Sequence, residues 1–431
     1  MKKTIAATTL GCKVNLYDTN ALLEGFVAEG YTAVDFDDFA DIYVINTCSV
    51  TNLADKKSRQ MVSRARQRNP LAIIAAMGCS SQASPDKFGD LGVDIIMGTS
   101  RRGDLVAHIE NYSGQPIVDI APDTNEMRSY EEEVVANDTS RTRAFLKIQD
   151  GCDSFCAYCI IPYVRGRSRS RAYDDIMKQA QNFDDAGYKE IVVAGIHVAS
   201  YGKDLKGKNL LDVLGDIAAL PNIQRVRLSS VEPNIITNEF CEFVAQTPKF
   251  CDHLHLSLQS GSNEILRFMN RKYTTDDFAR AVEMLRQTSP DISITTDIIA
   301  GFPGEIEEHH AQTIAFLQEI QLAKLHVFPY SPKKGTAAAK MQGQITKAVK
   351  TARAKSLIEL GKELEQAYAQ KFLGKTMDIL IEENRPEGVC VGKTRNYLTV
   401  HCTSKAPQLP NTIVAAHISK VHNGVAYGHV K

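Results

Sequence analysis

Six of the ten cysteines in this 431-residue chain stand directly behind short apolar runs, and that placement restricts the fold more than any other feature. Thr4–Leu10 leads through Gly11 to Cys12, Ile42–Asn46 through Thr47 to Cys48, and Ala72–Met77 through Gly78 to Cys79. A fourth run, Ala144–Ile148, leads to Cys152-Asp-Ser-Phe-Cys156-Ala-Tyr-Cys159. Helical patterns separate the runs, for example at about residues 17–28 and 54–67, so the runs read as parallel strands of α/β sheets. In such sheets ligands bind outside the carboxyl ends of the strands. Each trio of thiols is therefore expected to gather at one such edge.

The chemistry of the trios follows from their number. Ten cysteines in so long a chain are far below the density of a disulfide scaffold, and clustered cysteines in a reducing compartment bind metal or do redox work. Three thiolates in one loop can each take a different iron of a [4Fe–4S] cube, which leaves the fourth iron without a protein ligand. A structural zinc site wants four closed ligands, and ferredoxins space four cysteines differently. After Cys159 the next cysteine is Cys241. The trio Cys12, Cys48 and Cys79 gives a second open cube, with Gly11 and Gly78 letting the backbone approach it. Inert buried cysteines are the bland alternative, but the strand-end placement of all three speaks against it. Cys241, Cys251, Cys390 and Cys402 show no usable pattern and are read as structural.

The chain divides into four stretches. An amino-terminal parallel α/β domain is expected over 1–122 and an acidic, apolar-poor linker with Glu131-Glu132-Glu133 over 123–142. Residues 143–370 hold six strand candidates: 144–148, 190–194, 225–229, 253–258, 293–298 and 324–328. Six βα units are fewer than the eight of a closed barrel, so an open partial barrel is expected. After a helical pattern from Thr346 to about 370, close-spaced short strands over 371–431 read as a small antiparallel β-barrel. That barrel carries a basic excess suited to nucleic acid. Net charge is −1, so total charge says nothing about an anionic partner. Met1-Lys2-Lys3 and the apolar residues behind it resemble a lipoprotein signal, but the run falls short of a signal core and is read as a strand. Nothing approaches the ~20 apolar residues of a membrane helix, so a cytoplasmic protein with no membrane partner is expected.

The Cys152–Cys159 spacing behind a first barrel strand resembles the radical S-adenosylmethionine superfamily. The resemblance implies that the open iron chelates S-adenosylmethionine. Position by position it puts Tyr158 and the Gly301 turn beside adenine, Gly195 beside the amino-acid moiety, and Glu232 and Ser257 at polar cofactor contacts. Together with the three-cysteine first domain and the final barrel, almost the whole chain resembles the methylthiotransferases. In that family the amino-terminal cluster carries the inserted sulfur, and the final barrel is a TRAM domain. The motifs Cys12-Lys13-Val14-Asn15, Val50–Gln60, Ile160–Arg171 and His326–Pro332 resemble the branch acting on N6-threonylcarbamoyladenosine beside the tRNA anticodon. This implies a 2-methylthio product, two [4Fe–4S] clusters, S-adenosylmethionine, a tRNA anticodon stem-loop partner, an electron donor and a sulfur source.

Charge supports an RNA partner independently. Residues 56–68 hold six Lys/Arg and no acid, and 165–171 hold four arginines. Local basic stripes are the electrostatic footprint of nucleic-acid binding. Lys56, Lys57, Arg59, Arg165, Arg167, Arg169 and Arg171 are the candidate RNA contacts. The alternatives are a methylthiotransferase for isopentenyladenosine tRNA or a ribosomal protein, and, from another class, a two-cluster electron carrier or RNA-binding redox sensor.

Overall fold

The computed structural model describes residues 3–131, 142–404, 406 and 408–431, so positions 132–141 of the expected linker lie outside the described residues. Strands β1 (Thr4–Thr9), β2 (Thr32–Val34), β3 (Ile42–Thr47), β4 (Ile73–Gly78), β5 (Ile95–Met97) and β6 (Ile117–Asp119) form one sheet in the order β2-β1-β3-β4-β5-β6. Every pairing is parallel. Central β3, Ile-Tyr-Val-Ile-Asn-Thr, is buried at all six positions, as a parallel strand covered on both faces must be. Two separate apolar layers flank it, one around Tyr43, Ile45 and Val62, the other around Val44, Phe26 and Met77. The three-residue strands β2, β5 and β6 are too short to show periodicity, and the sequence reading missed them.

The middle of the chain supplies β7 (Ala144–Asp150), β8 (Arg169–Ser170), β9 (Glu190–Gly195), β10 (Arg225–Leu228), β11 (His253–His255), β12 (Ser293–Ala300) and β13 (Lys324–Pro329). All six expected strands are present; β8 is a short antiparallel addition on the edge of β7. The sheets β10-β9-β7-β8 and β11-β12-β13 meet through the parallel bridges Val226↔Phe250 and Val231↔Leu256. The result is a curved wall of six parallel strands, the open partial barrel. Leu146, Ile191, Val193, Leu254 and Ile294 face outward into the core shared with the helices, while alternate positions such as Lys147, Glu190, Arg227 and His255 carry the polar side chains of the other face.

Strands β14 (Thr376–Arg385), β15 (Val389–Thr394), β16 (Thr399–Thr403), β17 (Ile413–His422) and β18 (Val425–Val430) close into the final barrel. The expectation of an antiparallel barrel needs one correction, because β16 and β18 pair in parallel. A ring of five strands cannot alternate direction throughout, so one neighbouring pair has to run the same way.

Buried polar contacts join the parts. The helix Lys13–Ala28 brings Asp18 to the partial barrel, where Lys147 Nζ lies 2.6 Å from Asp18 Oδ1 and 3.0 Å from Asp150 Oδ2. Arg165 donates to both Asp150 oxygens at 2.9 Å and to Asp18 Oδ2 at 2.8 Å. At the other end, Arg225 and Arg227 of β10 donate to the carbonyls of Lys393 (2.9 Å) and Arg395 (3.0 Å) in the β15–β16 turn. Removing one member of a buried ion network leaves the others uncompensated and costs about 3–5 kcal/mol. Asp150→Ala is therefore expected to lower the unfolding free energy by that amount in urea titrations of the metal-free protein; a loss below about 1 kcal/mol would contradict it. Burial alone would raise the Asp18 carboxyl, but Arg102, Lys147 and Arg165 outweigh it and hold it at about 2, against 3.8 for an ordinary aspartate. A depressed carboxyl stabilises the fold above its unfolded value. That contribution should be full above about pH 4 and disappear as pH falls through about 2. Urea midpoints should accordingly fall across that window in the wild type and less so in Asp18→Asn.

Candidate active site

The carboxyl ends of β1, β3 and β4 deliver Cys12, Cys48 and Cys79 to one edge, as their spacing required. Cys12 is exposed at the start of the helix Lys13–Ala28, Cys48 is buried, and buried Cys79 opens the helix Cys79–Ala83. Gly11 sits at φ +103°, and a Cβ there would lie 2.7 Å from Cys48 Sγ. Gly78, at φ +104°, would place a Cβ 2.5 Å from Asn46 Oδ1. Both positions need glycine, for conformation and for space. Asn15 pins the strand ends together by donating to Leu10 O at 2.8 Å and to Thr47 O at 3.0 Å. Burial pushes the Cys48 thiol up to about 12, and it also raises Cys79 against the opposing pull of Arg165.

The second trio lies in the loop behind β7. Gly151 (φ +71°) leads into Cys152, whose sulfur accepts from Ser154 N–H at 3.4 Å. Cys159 N–H donates to Cys156 O at 2.9 Å, and Ala157 is tied to Met269 O and Ala338 N at 2.9 and 2.8 Å. The loop is thus held by its own backbone and by segments behind β11 and β13. Burial pushes the Cys159 thiol to about 12.

Two arginines aim at sulfur. Arg271 donates from Nη1 to Cys156 Sγ at 3.0 Å and pairs through Nη2 with Glu232 Oε1 at 2.9 Å. Through Nε it donates to Tyr273 Oη at 2.8 Å, and that hydroxyl in turn reaches the carbonyl of Ser257. Glu232 and Ser257 therefore sit in one network with a cluster-loop cysteine. Burial would raise the Glu232 carboxyl, but the His197 and Arg271 contacts outweigh it and hold it below the usual range. Arg165 donates from Nε to Cys79 Sγ at 3.3 Å while its other nitrogens hold Asn15, Asp18 and Asp150. An arginine six positions beyond Cys159 thus touches the other trio. Sequence reasoning missed Arg271 and Tyr273, which carry no motif; Asn15 was visible only as part of one.

The other expected cofactor residues fall around the same loop. Gly195 ends β9, where a Cβ would meet Gln149 at 3.0–3.3 Å. Gln149 also accepts from His197 N–H and donates to Gly151 O. The Tyr158 ring meets Phe302 edge-on at 6.5 Å, beside Gly301, whose φ is +74° and whose N–H donates to Glu305.

The RNA candidates divide. Arg165, Arg169 and Arg171 are buried, so reading them as a basic surface is corrected: Arg165 and Arg169 serve Asp150, and Arg171 holds Tyr17 Oη at 2.9 Å. An alternating arginine pattern signalled interior ion pairing as readily as phosphate contact. Arg167 stays partly open, pairing with Asp153 at 3.3 Å and resting on the Phe155 ring. On the helix Asn52–Arg68, Lys56 and Lys57 are exposed, whereas Arg59 pairs with Asp55 at 2.6 Å.

Among the described residues no three His, Cys, Asp or Glu side chains close on a point that could hold one metal ion. A cube, by contrast, spreads its ligands over separate irons. Sulfur-directed guanidinium groups, a backbone N–H on Cys152 and Gly11 pressed against Cys48 make both donor sets fit [4Fe–4S] clusters, with three thiolates each.

Residues 146–317 match the Radical SAM superfamily, 4–98 the Uncharacterized protein family UPF0004, and 370–431 the TRAM domain. A solved structure of the radical S-adenosylmethionine methyltransferase TsrM from Kitasatospora setae, with tryptophan and a cofactor analogue bound, shares the fold. Its TM-score is 0.58 at 14% identity, over 77% of this chain and 75% of that one. Fold and site together define a radical S-adenosylmethionine enzyme, with S-adenosylmethionine and [4Fe–4S] clusters as cofactors. Threonylcarbamoyladenosine tRNA methylthiotransferase MtaB of Bacillus subtilis (strain 168) is 44% identical over 92% of this chain and 90% of its own length. The protein of the same name from Aquifex aeolicus is 38% identical over 88% and 93%. At 34%, over 94% and 95%, stands the tRNA-2-methylthio-N(6)-dimethylallyladenosine synthase of Thermodesulfovibrio yellowstonii. The chain belongs to the MtaB-type methylthiotransferase family.

Gly11→Ala is expected to cost the amino-terminal site its cluster, because the added methyl occupies the space beside Cys48 Sγ. Iron analysis of anaerobically reconstituted protein should fall from about eight to about four atoms per chain, two cubes to one.

Proposed function

We propose that this chain is a tRNA methylthiotransferase that converts N6-threonylcarbamoyladenosine at position 37, beside the anticodon, to its 2-methylthio derivative. The observation that carries the reading is Arg165, which leaves the loop of the second trio and donates to Cys79 of the first. Two three-thiolate sites so joined suit a reaction needing both a radical and a sulfur. Relatives named for this activity, matched over nine-tenths of their length, support the substrate.

In this reading Cys152, Cys156 and Cys159 hold the cluster that binds S-adenosylmethionine, and Cys12, Cys48 and Cys79 hold the cluster that supplies sulfur. When bound, these groups supply a carbon-centred radical and the inserted sulfur. Glu232, fixed by Arg271, and the backbone at Tyr158, Gly195, Ser257 and Gly301 orient the cofactor. Lys56, Lys57 and Arg167, with the TRAM barrel, meet the RNA backbone, where each cation strengthens binding without choosing sequence. An electron donor and a sulfur source have to act on the enzyme, and its place of work is the cytoplasm. No helix among the described residues is long and apolar enough to cross a membrane.

The test is a pair of triple variants. Alanine at 152, 156 and 159 should abolish release of 5′-deoxyadenosine from S-adenosylmethionine. Alanine at 12, 48 and 79 should retain that release yet give no methylthio product on modified tRNA. Each should hold about four irons; two variants that each keep about eight would overturn the assignment. A two-cluster electron carrier would release no 5′-deoxyadenosine in either case.

A further inference from the structure

A cavity of about 330 Å³ opens inside the partial barrel, lined by Lys13, His253 and His255 together with Lys393 and Tyr397 from the TRAM turn. Its volume lies at the small end of the range for small-molecule sites. Lys13, the residue after Cys12, keeps much of its surface accessible although protein surrounds most of its side chain, because it faces this cavity. Its ammonium makes no hydrogen bond or ion pair among the described residues. Lys393 donates to Thr399 Oγ1 at 2.5 Å and has no carboxylate partner among the described residues. Burial pulls the Lys393 ammonium below the usual lysine value.

The nearby carboxylates are already matched. Glu365 pairs with Lys324 at 2.6 Å, Glu190 with Arg227 at 2.8 Å and Glu382 with Arg143 at 2.8 Å. Tyr397 is covered by Arg227, Lys393 and Arg143, with the His253 ring stacked on it at 4.7 Å. His253 Nδ1 is buried without a hydrogen-bond partner. So is His255 Nε2, which has Asp297 Oδ2 at 3.4 Å but makes no hydrogen bond to it. Two lysines and two imidazole nitrogens thus converge on a polar space in which, among the described residues, neither lysine has a carboxylate partner. Partly enclosed cations in that condition gain from a ligand that supplies the counter-charge.

On adenine, C2 and the C6 that carries N6 are both bonded to N1 and lie on one edge. Whatever holds the substituent on N6 must therefore adjoin the carbon that receives sulfur. Lys13 follows Cys12 directly, so this cavity adjoins the amino-terminal cysteines. Resting on the function proposed above, we infer that the cavity is the seat of the carboxylate carried by the threonyl group on N6, and that Lys13 and Lys393 are its specificity-determining contacts. The enzyme then selects the open-chain acid over the ring-closed form, in which that carboxylate is consumed.

The test uses the full-length holoenzyme and two anticodon stem-loop RNAs, one with threonylcarbamoyladenosine and one with its methyl ester. Wild type is expected to bind and modify the acid about tenfold or more better than the ester, the range for one charge-assisted contact. Lys13→Gln should erase that preference by weakening acid binding alone. Since Lys13 neighbours Cys12, iron content is measured alongside, and Lys393→Gln, on a different domain, repeats the test away from the cysteines. Equal use of acid and ester by wild type, or full preference in both variants, overturns the subsite and leaves the function reading standing. Equal use is also what a seat for RNA phosphate or for the methionine carboxylate would give. A wild type that modifies neither RNA removes both.

Discussion

The interaction on which the arrangement depends is the buried set Asp18, Lys147, Asp150 and Arg165. They come from three elements: Asp18 from the first helix, Lys147 and Asp150 from β7, and Arg165 from the helix Ile161–Arg165 behind the second cysteine trio. Apolar packing alone would let the amino-terminal sheet slide against the partial barrel, since apolar attraction is non-directional. Paired charges away from water have one good geometry, and leaving it exposes an uncompensated ion. The network therefore fixes register between two domains, and through Arg165 it fixes Cys79 as well.

Arg165 and Arg271 play parallel parts. Arg165 is buried and Arg271 partly so; each is tied to carboxylate by its guanidinium fork, and each keeps one N–H for a cysteine sulfur. A fork held on two sides presents its remaining donor at a set place without further loss of side-chain freedom. Donors to sulfur are among the levers by which proteins tune iron–sulfur centres. Lysine, a single point charge on a flexible stem, could not span three partners in this way.

The sequence made the strand-end cysteines, six barrel strands and final barrel legible, because each element is long enough to show its period and each ends on a distinctive residue. Strands β2, β5 and β6 were not legible, since three residues cannot display alternation. Charge was the poorest guide. Arg165, Arg169 and Arg171 form as basic a stripe as any on the chain, yet the fold turns them inward because Asp150 meets Arg165 and Arg169, while Asp18 and Tyr17 of the first helix meet Arg165 and Arg171. Arg271 and Tyr273 lay outside every motif, and their place beside Cys156 comes only from how β11 and the segment after it pack. A parallel pair in the five-stranded barrel was overlooked for a topological reason that strand lengths alone do not reveal.

The end of β15 and its turn to β16 reach away from their own barrel and put Lys393 and Tyr397 into the wall of the central cavity, anchored by Arg225, Arg227 and Asp252. The carboxy-terminal unit is thus part of the wall of the cavity in the partial barrel as well as an appendage. Detaching it as a free-standing RNA-binding cassette, or grafting it from a relative, would unroof polar groups in the catalytic domain. The barrel and the cavity wall are parts of one piece of polypeptide, so evolution cannot adjust either without moving the other.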